Sequence, residues 1–284
     1  KNLILKEKLK NKKIMLIGKT LNVPFISYSD FLNNDRAIAI ASTIDNRDPI
    51  PSHTSSEALS NGWAWRIPLA NRYGNGYVYS SKHLNKEDAE AELRAHIGPT
   101  CIGMEARHIK MRVGRRKEHW HRNVLAVGLS QGFIEPLEAT ALMLIQFTVD
   151  SFINSFNEYT KSNKIDEARS NFNLKVNSNF EGIKDYVVAH YRLNSRVDSK
   201  YWVENRNSPH LSNRLKDIFR AWDEGLDFEA TLTQFKAELS YMRPSWYCLL
   251  AGMGRFPSSL KKMKADNNSA SAEESLAHCK ILAE

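Results

Sequence analysis

Cysteine is scarce in this chain. The 284 residues contain three, Cys101, Cys248 and Cys279, odd in number and far apart. That pattern excludes a dense disulfide framework and a paired-cysteine zinc cluster, and makes a reducing cytoplasm the default location. No apolar run approaches the roughly 20 residues that span a bilayer, so no membrane segment is expected. The opening Lys1-Asn2-Leu3-Ile4-Leu5-Lys6 has neither an apolar h-region nor a small-residue cleavage site, so it does not read as a signal peptide. It also lacks an initiator Met, and a fragment is the expectation. A G-x-G-x-x-G turn of the kind that cradles a pyrophosphate is missing too; Gly74-Asn75-Gly76 stands alone.

What is present is ordinary globular material. Hydrophobic residues make up 42% and charged residues 25%, and the length allows one or two domains. The net charge of +8 invites a nucleic-acid reading, but the basic residues are spread except at residues 6–13 and 112–117. No nucleic-acid motif surrounds either cluster. Both read as solvated faces, with an anionic cofactor as the alternative for the second. His119 and His121 flank Trp120 without an evident third ligand, so no metal site is expected.

Strand signals come first and helical ones later. Residues 35–41 read as a buried strand. In Gly62-Trp63-Ala64-Trp65-Arg66-Ile67-Pro68 the large residues alternate, which places Trp63, Trp65 and Ile67 on one face of a strand. Residues 73–76 read as a tight turn and 77–79 as the returning strand. Asn85 is a plausible N-cap for a helix ending at Gly98-Pro99. Residues 107–113 alternate again. The apolar run 123–128 reads as a fully buried parallel strand, and a helix is expected from about 138 to 156. Beyond residue 160 helices are expected at 185–193, 211–222 and 228–239. The fold class is therefore α/β (α+β): a sheet domain over residues 1–159, a helical region over 160–260 and a polar tail over 261–284.

The stretch from Val127 to Leu142 joins an apolar run to an apolar helix. Gly128 and Gly132 would let a ligand approach the backbone. The amides that open the helix, near Thr140 and Ala141, would suit an anion. Glu138 reads either as a first-turn carboxylate that complements the helix dipole or as a group that takes a proton from a substrate. The paired indoles read either as core or as a rigid wall.

Trp63-Ala64-Trp65-Arg66-Ile67-Pro68 matches the W-x-W-x-I-P motif of flavin-dependent halogenases. Gly132-Phe133-Ile134-Glu135-Pro136-Leu137-Glu138-Ala139-Thr140 is similar to their G-F-V-E-P-L-E-S-T segment. Four further blocks, at residues 33–37, 74–79, 105–109 and 247–252, follow in the same order. The chain thus resembles the tryptophan halogenase family in the C-terminal part of its FAD-binding, monooxygenase-like fold. The resemblance implies reduced FAD from a separate flavin reductase, chloride or bromide converted to hypohalous acid, and transfer of halogen to an electron-rich aromatic ring. It assigns Thr140 and Ala141 to the halide, and Leu129 and Leu142 to flavin contacts. Glu138 falls to the substrate and Trp63 with Trp65 to the barrier between flavin and substrate. It leaves a homodimer open.

Three departures qualify this. The nucleotide-binding turn and the family's catalytic lysine lie outside the matched residues. The positions that hold the amino acid group of free tryptophan match Glu229, Ala230 and Lys236 here, so the expected substrate is not free tryptophan but another indole, a phenol or pyrrole, or a carrier-bound ring. Ala139 and Ala141 replace the usual Ser and Gly. A flavin-dependent aromatic monooxygenase and an inactive remnant or interaction module remain the competing readings.

Overall fold

The computed structural model describes residues 16–44, 49–236 and 239–257; most of the basic start and the polar tail from 261 fall outside these. After a helical turn at Leu16–Thr20 come β1 (Phe25–Ser27), β2 (Arg36–Ser42), β3 (Ser55–Leu59), β4 (Gly62–Pro68) and β5 (Tyr73–Tyr79). Then follow α1 (Lys86–Ile97), β6 (Ala106–Lys110), β7 (Gly114–Arg116), β8 (Trp120–His121), β9 (Val124–Leu125) and β10 (Gly132–Phe133). The rest is helical: α2 (Thr140–Ser162), α3 (Ile165–Leu193), α4 (Lys200–Asn207), α5 (Asn213–Glu224), α6 (Phe228–Gln234) and α7 (Arg243–Gly252). Among the described residues no helix is long and apolar enough to cross a membrane.

The main sheet has the order β3-β4-β5-β2-β6, and every pairing in it is antiparallel. Ile38 and Ile40 of β2 and Tyr77 and Tyr79 of β5 form one core with Ala89 and Leu93 of α1. Fully burying side chains of this size contributes about 1.5–3 kcal/mol each. The cap foreseen for α1 is in place: the Asp88 N–H donates to the Asn85 side chain at 2.8 Å. Gly98, at φ 80°, ends the helix with its N–H on the Arg94 carbonyl.

Two strand expectations need correction. Tyr73-Gly74-Asn75-Gly76 is not a turn but the first half of β5; the reversal lies earlier, where the Leu69 N–H donates to the Arg72 carbonyl. The register sets Trp65 opposite Gly76, and a Cβ at residue 76 would fall 1.9 Å from the indole. That glycine makes room for a cross-strand ring. Residues 123–128 are not a buried parallel strand either. β9 is two residues long, partly exposed and antiparallel to β8, and the chain then turns through Gly128–Ser130.

α3 begins about 20 residues before the expected 185. Its buried face is interrupted by asparagines that serve as backbone brackets. Asn173 accepts the N–H groups of His119 and Trp120 and donates to the Trp120 carbonyl; Asn177 donates to the Lys117 carbonyl. Such brackets break the apolar period by which a helix is read. Trp120 meets Phe152 and Phe172 edge-on. His119 is fully buried, lies flat on Phe180 with 5.2 Å between centroids, and is pushed down to about 4, mainly by burial. His121 instead pairs with Glu118 at 2.6 Å.

Two compact units emerge. Among the described residues the first runs from Leu16 to Ser212 and takes in Tyr241 and Met242; the second comprises Asn213–Lys236 and residues 243–257. Residue 160, where the sequence changes character, lies in the last turns of α2, inside the first unit. In the second unit Trp222, Phe228 and Tyr247 pack edge-to-face, and Asp227 caps α6 by accepting from the Ala230 N–H.

Candidate functional site

Strand alternation places the two indoles of β4 side by side, with ring centroids 5.9 Å apart. Their surroundings differ. Trp63 is buried, and its Nε1–H donates to Glu135 at 2.8 Å. Trp65 lies over Gly76 and lines a groove of about 460 Å³.

That groove is mainly apolar. Trp65, Val78, Ile109, Leu129 and Pro136 line it, and Arg107 and Arg112 bring positive charge; Arg112 stacks on Phe25 at 3.8 Å. Flat apolar walls edged by cations suit an anionic cofactor with an extended aromatic ring. Leu129, half exposed, belongs to this wall. Leu142 does not line the groove; it is 78% exposed on the first turn of α2. Gly132 is required by packing rather than by a ligand: a Cβ there would meet the Gly114 carbonyl at 2.5 Å. Gly128 does need its glycine, at φ 63°, although its N–H is taken by the Gln131 side chain.

Glu135, which sequence reasoning passed over, is the most enclosed carboxyl of the segment, 1% exposed. Its Oε2 accepts from Trp63, from Asn34 at 2.9 Å and from the Tyr191 hydroxyl at 2.5 Å. Tyr201 donates in turn to Asn34. Oε1 has no partner. Burial pushes the Glu135 carboxyl above the ordinary range, against the pull of its three donors. The signal was available: one acid between Phe133-Ile134 and Pro136, in an apolar run.

Glu138, three residues on, is half exposed and sits at φ 63°, and Ala139 follows at φ 55°. Two consecutive non-glycine residues in the left-handed region are costly and concentrate at functional sites. The helix expected from Glu138 therefore starts at Thr140, with Ala139 as an N-cap that offers no side-chain acceptor. The first amides of α2 are left without a side-chain cap. Thr140 is buried and Ala141 exposed. On the other side of Glu138 lies His190, with Nε2 at 3.4 Å from Oε1, and a hydrogen bond from it holds the Glu138 carboxyl below the usual range. Tyr186 meets His190 edge-on and stacks on Tyr241 at 3.7 Å. Burial and then Glu138 push the Tyr241 hydroxyl up.

One continuous segment therefore touches the groove through Leu129 and Pro136, anchors Trp63 through Glu135, and presents Glu138 and Thr140 at its far end. The paired-indole strand and this turn carry the two motifs on which the resemblance to halogenases rests. The family model for tryptophan halogenases matches residues 12–268, and the chain belongs to that family. Among its relatives is 7-chloro-L-tryptophan 6-halogenase KtzR of Kutzneria sp. (strain 744), 36% identical over 91% of this chain and 50% of the relative. Tryptophan 6-halogenase SttH of Streptomyces toxytricini is 37% identical over 84% of this chain and 45% of the relative. Among solved structures, Tar14, a tryptophan C-6 flavin-dependent halogenase from taromycin biosynthesis, superposes with a TM-score of 0.81 at 32% identity, covering 91% of this chain and 52% of that one. The chain thus spans about half the length of these relatives.

Proposed function

We propose that this chain forms the substrate side of a cytoplasmic, flavin-dependent halogenase that chlorinates or brominates an electron-rich aromatic ring. Bound along the groove of Trp65, Val78 and Leu129, reduced FAD from a separate reductase would supply two electrons which, with two from the halide, reduce oxygen as halide becomes hypohalous acid. The chain's own residues position and screen. Trp65 closes one wall of the groove, and Trp63, fixed by Glu135, separates the groove from the Glu138 end. The uncapped amides at Thr140 and Ala141, with the Thr140 hydroxyl, offer a small anion a place at the helix start. The Glu138 carboxylate, held ionised by His190, takes the proton that the ring loses when halogen adds. A lysine outside the matched residues would orient the hypohalous acid.

The observation that carries this reading is the left-handed pair Glu138-Ala139, which sets a half-exposed carboxylate just before a helix start that has no side-chain cap. The test supplies the enzyme that contains this chain with a flavin reductase, FAD, oxygen, bromide and an indole, and determines the product mass. A brominated ring is expected. A hydroxylated ring in its place would transfer the protein to the aromatic monooxygenases, and no product with any of a panel of indoles, phenols and pyrroles would favour an inactive remnant.

For substrate, we propose a ring other than free tryptophan, free or carrier-bound. The relatives above are named for tryptophan or its chlorinated form, so the proposal rests on the clamp positions. Glu229 is already engaged, accepting from Arg243 at 2.7 Å and from Tyr247 at 2.8 Å. Ala230 has no polar side chain, and Lys236 has the wrong charge for an ammonium group. Turnover of free tryptophan at a rate equal to the best indole lacking the amino acid group would overturn this.

A further inference from the structure

Consecutive residues of α3 grip the two carboxyls of the turn. Tyr191 donates to Glu135, while His190 faces Glu138. The His190 ring is held at both nitrogens. Nδ1 lies 2.9 Å from the Tyr186 carbonyl, which can only accept, so Nδ1 carries a hydrogen. Nε2 is therefore an acceptor in the neutral ring and a second donor in the charged one, and this atom points at Glu138 Oε1. The groups around the ring are Glu138 and Glu135 from the turn, Tyr186 from its own helix, and Tyr241 behind Tyr186. No described cation pairs with Glu138 besides His190.

We propose that His190 is the positioning residue for Glu138 and the group through which Glu138 exchanges its proton. In the left-handed backbone at residue 138 the carboxylate has no helix to hold it, and the Nε2–H of the charged ring fixes it between turnovers; once that proton has left for water, the neutral ring can receive the next one. A proton collected on Glu138 Oε1 passes to the neutral ring: the O–H bond breaks, the Nε2–H bond forms, and carboxylate and imidazolium result. The imidazolium then gives that proton from Nε2 to water, and the carboxylate is ready again. His190 also lowers both acids electrostatically, so one ring couples the closed and open ends of the segment.

The role in turnover rests on the halogenase reading; the coupling does not. Carbon-13 NMR titration of the Glu138 carboxyl in this chain, wild type against His190→Gln, reads the coupling directly. The expected result is a midpoint that rises by roughly half a pH unit or more without the imidazolium; an unmoved midpoint in the folded variant overturns the proposal. In the enzyme containing this chain, His190→Ala is expected to lower kcat about tenfold or more with little change in KM, and added imidazole to restore part of it. A loss confined to KM, or one that imidazole leaves untouched, overturns the proton-exchange role. If the enzyme halogenates nothing while the NMR midpoint still moves, the functional reading fails and the coupling stands.

Discussion

The two ends of the segment from Gly132 to Ala141 are built on opposite terms. At the closed end Glu135 is sealed in, meets three donors and no cation in contact, and is held toward its neutral form. At the open end Glu138 is half exposed, strained in backbone and held toward its charged form by His190. One acid fixes an indole; the other, on the proposed reading, takes the substrate's proton. On that reading, the difference teaches that chemistry follows access and backbone strain, not depth of burial.

The largest effect expected from breaking this contrast is at the closed end. Glu135→Leu strands the Trp63, Asn34 and Tyr191 donors, and buried unmet donors cost about 1–3 kcal/mol each. Urea unfolding should register a loss of about 3 kcal/mol or more; a loss below about 1 kcal/mol would mean the network contributes nothing. At the open end, Glu138→Gln should leave stability nearly unchanged yet cut kcat about 100-fold, worth about 2.7 kcal/mol of barrier, as steady-state halogenation would measure. An equal fall in stability would erase the distinction between the ends. Gly76→Ala tests the wall of the groove beside them. Its methyl displaces the Trp65 ring, and overpacking of this kind costs about 2 kcal/mol, with a change in Trp fluorescence as the second readout.

The smallest effect is Glu135→Gln, which keeps an acceptor for the three donors. Its signature is in pH dependence. Because the folded carboxyl is raised, its contribution is complete below the unfolded value of about 4.3 and is lost as pH rises through the folded value. Wild type should weaken across that window while the glutamine variant stays flat, which paired melting curves from acid to neutral pH would resolve. An identical slope in both would remove Glu135 as the titrating group.

Much of this could be read from the residues. The alternation of Trp63, Trp65 and Ile67 gave β4, and the Asn85 cap with Gly98 bracketed α1, because both signals are local. Gly74-Asn75-Gly76 was misread because glycine in a strand looks like a turn unless the ring that covers it is known. The run 123–128 was misread because apolarity reports burial and not strand direction. α3 was cut short because Asn173 and Asn177 bond to the backbone of another segment. At the candidate site, Glu138, Thr140 and the indoles were singled out through a motif. Glu135, His190 and Tyr241 were missed because their partners are distant in sequence, and only the fold brings them together.

The ring stack of His119 on Phe180 has a consequence for handling the protein. A histidine that resists protonation until about pH 4, against an ordinary 6.5, makes the unfolded chain the better base in between. Acidification through that range therefore loosens the seam between β8 and α3, in the sense opposite to Glu135. Mild acid tightens one buried knot while it unpicks another, and the least acidic of ordinary buffers favours the helical side of the molecule.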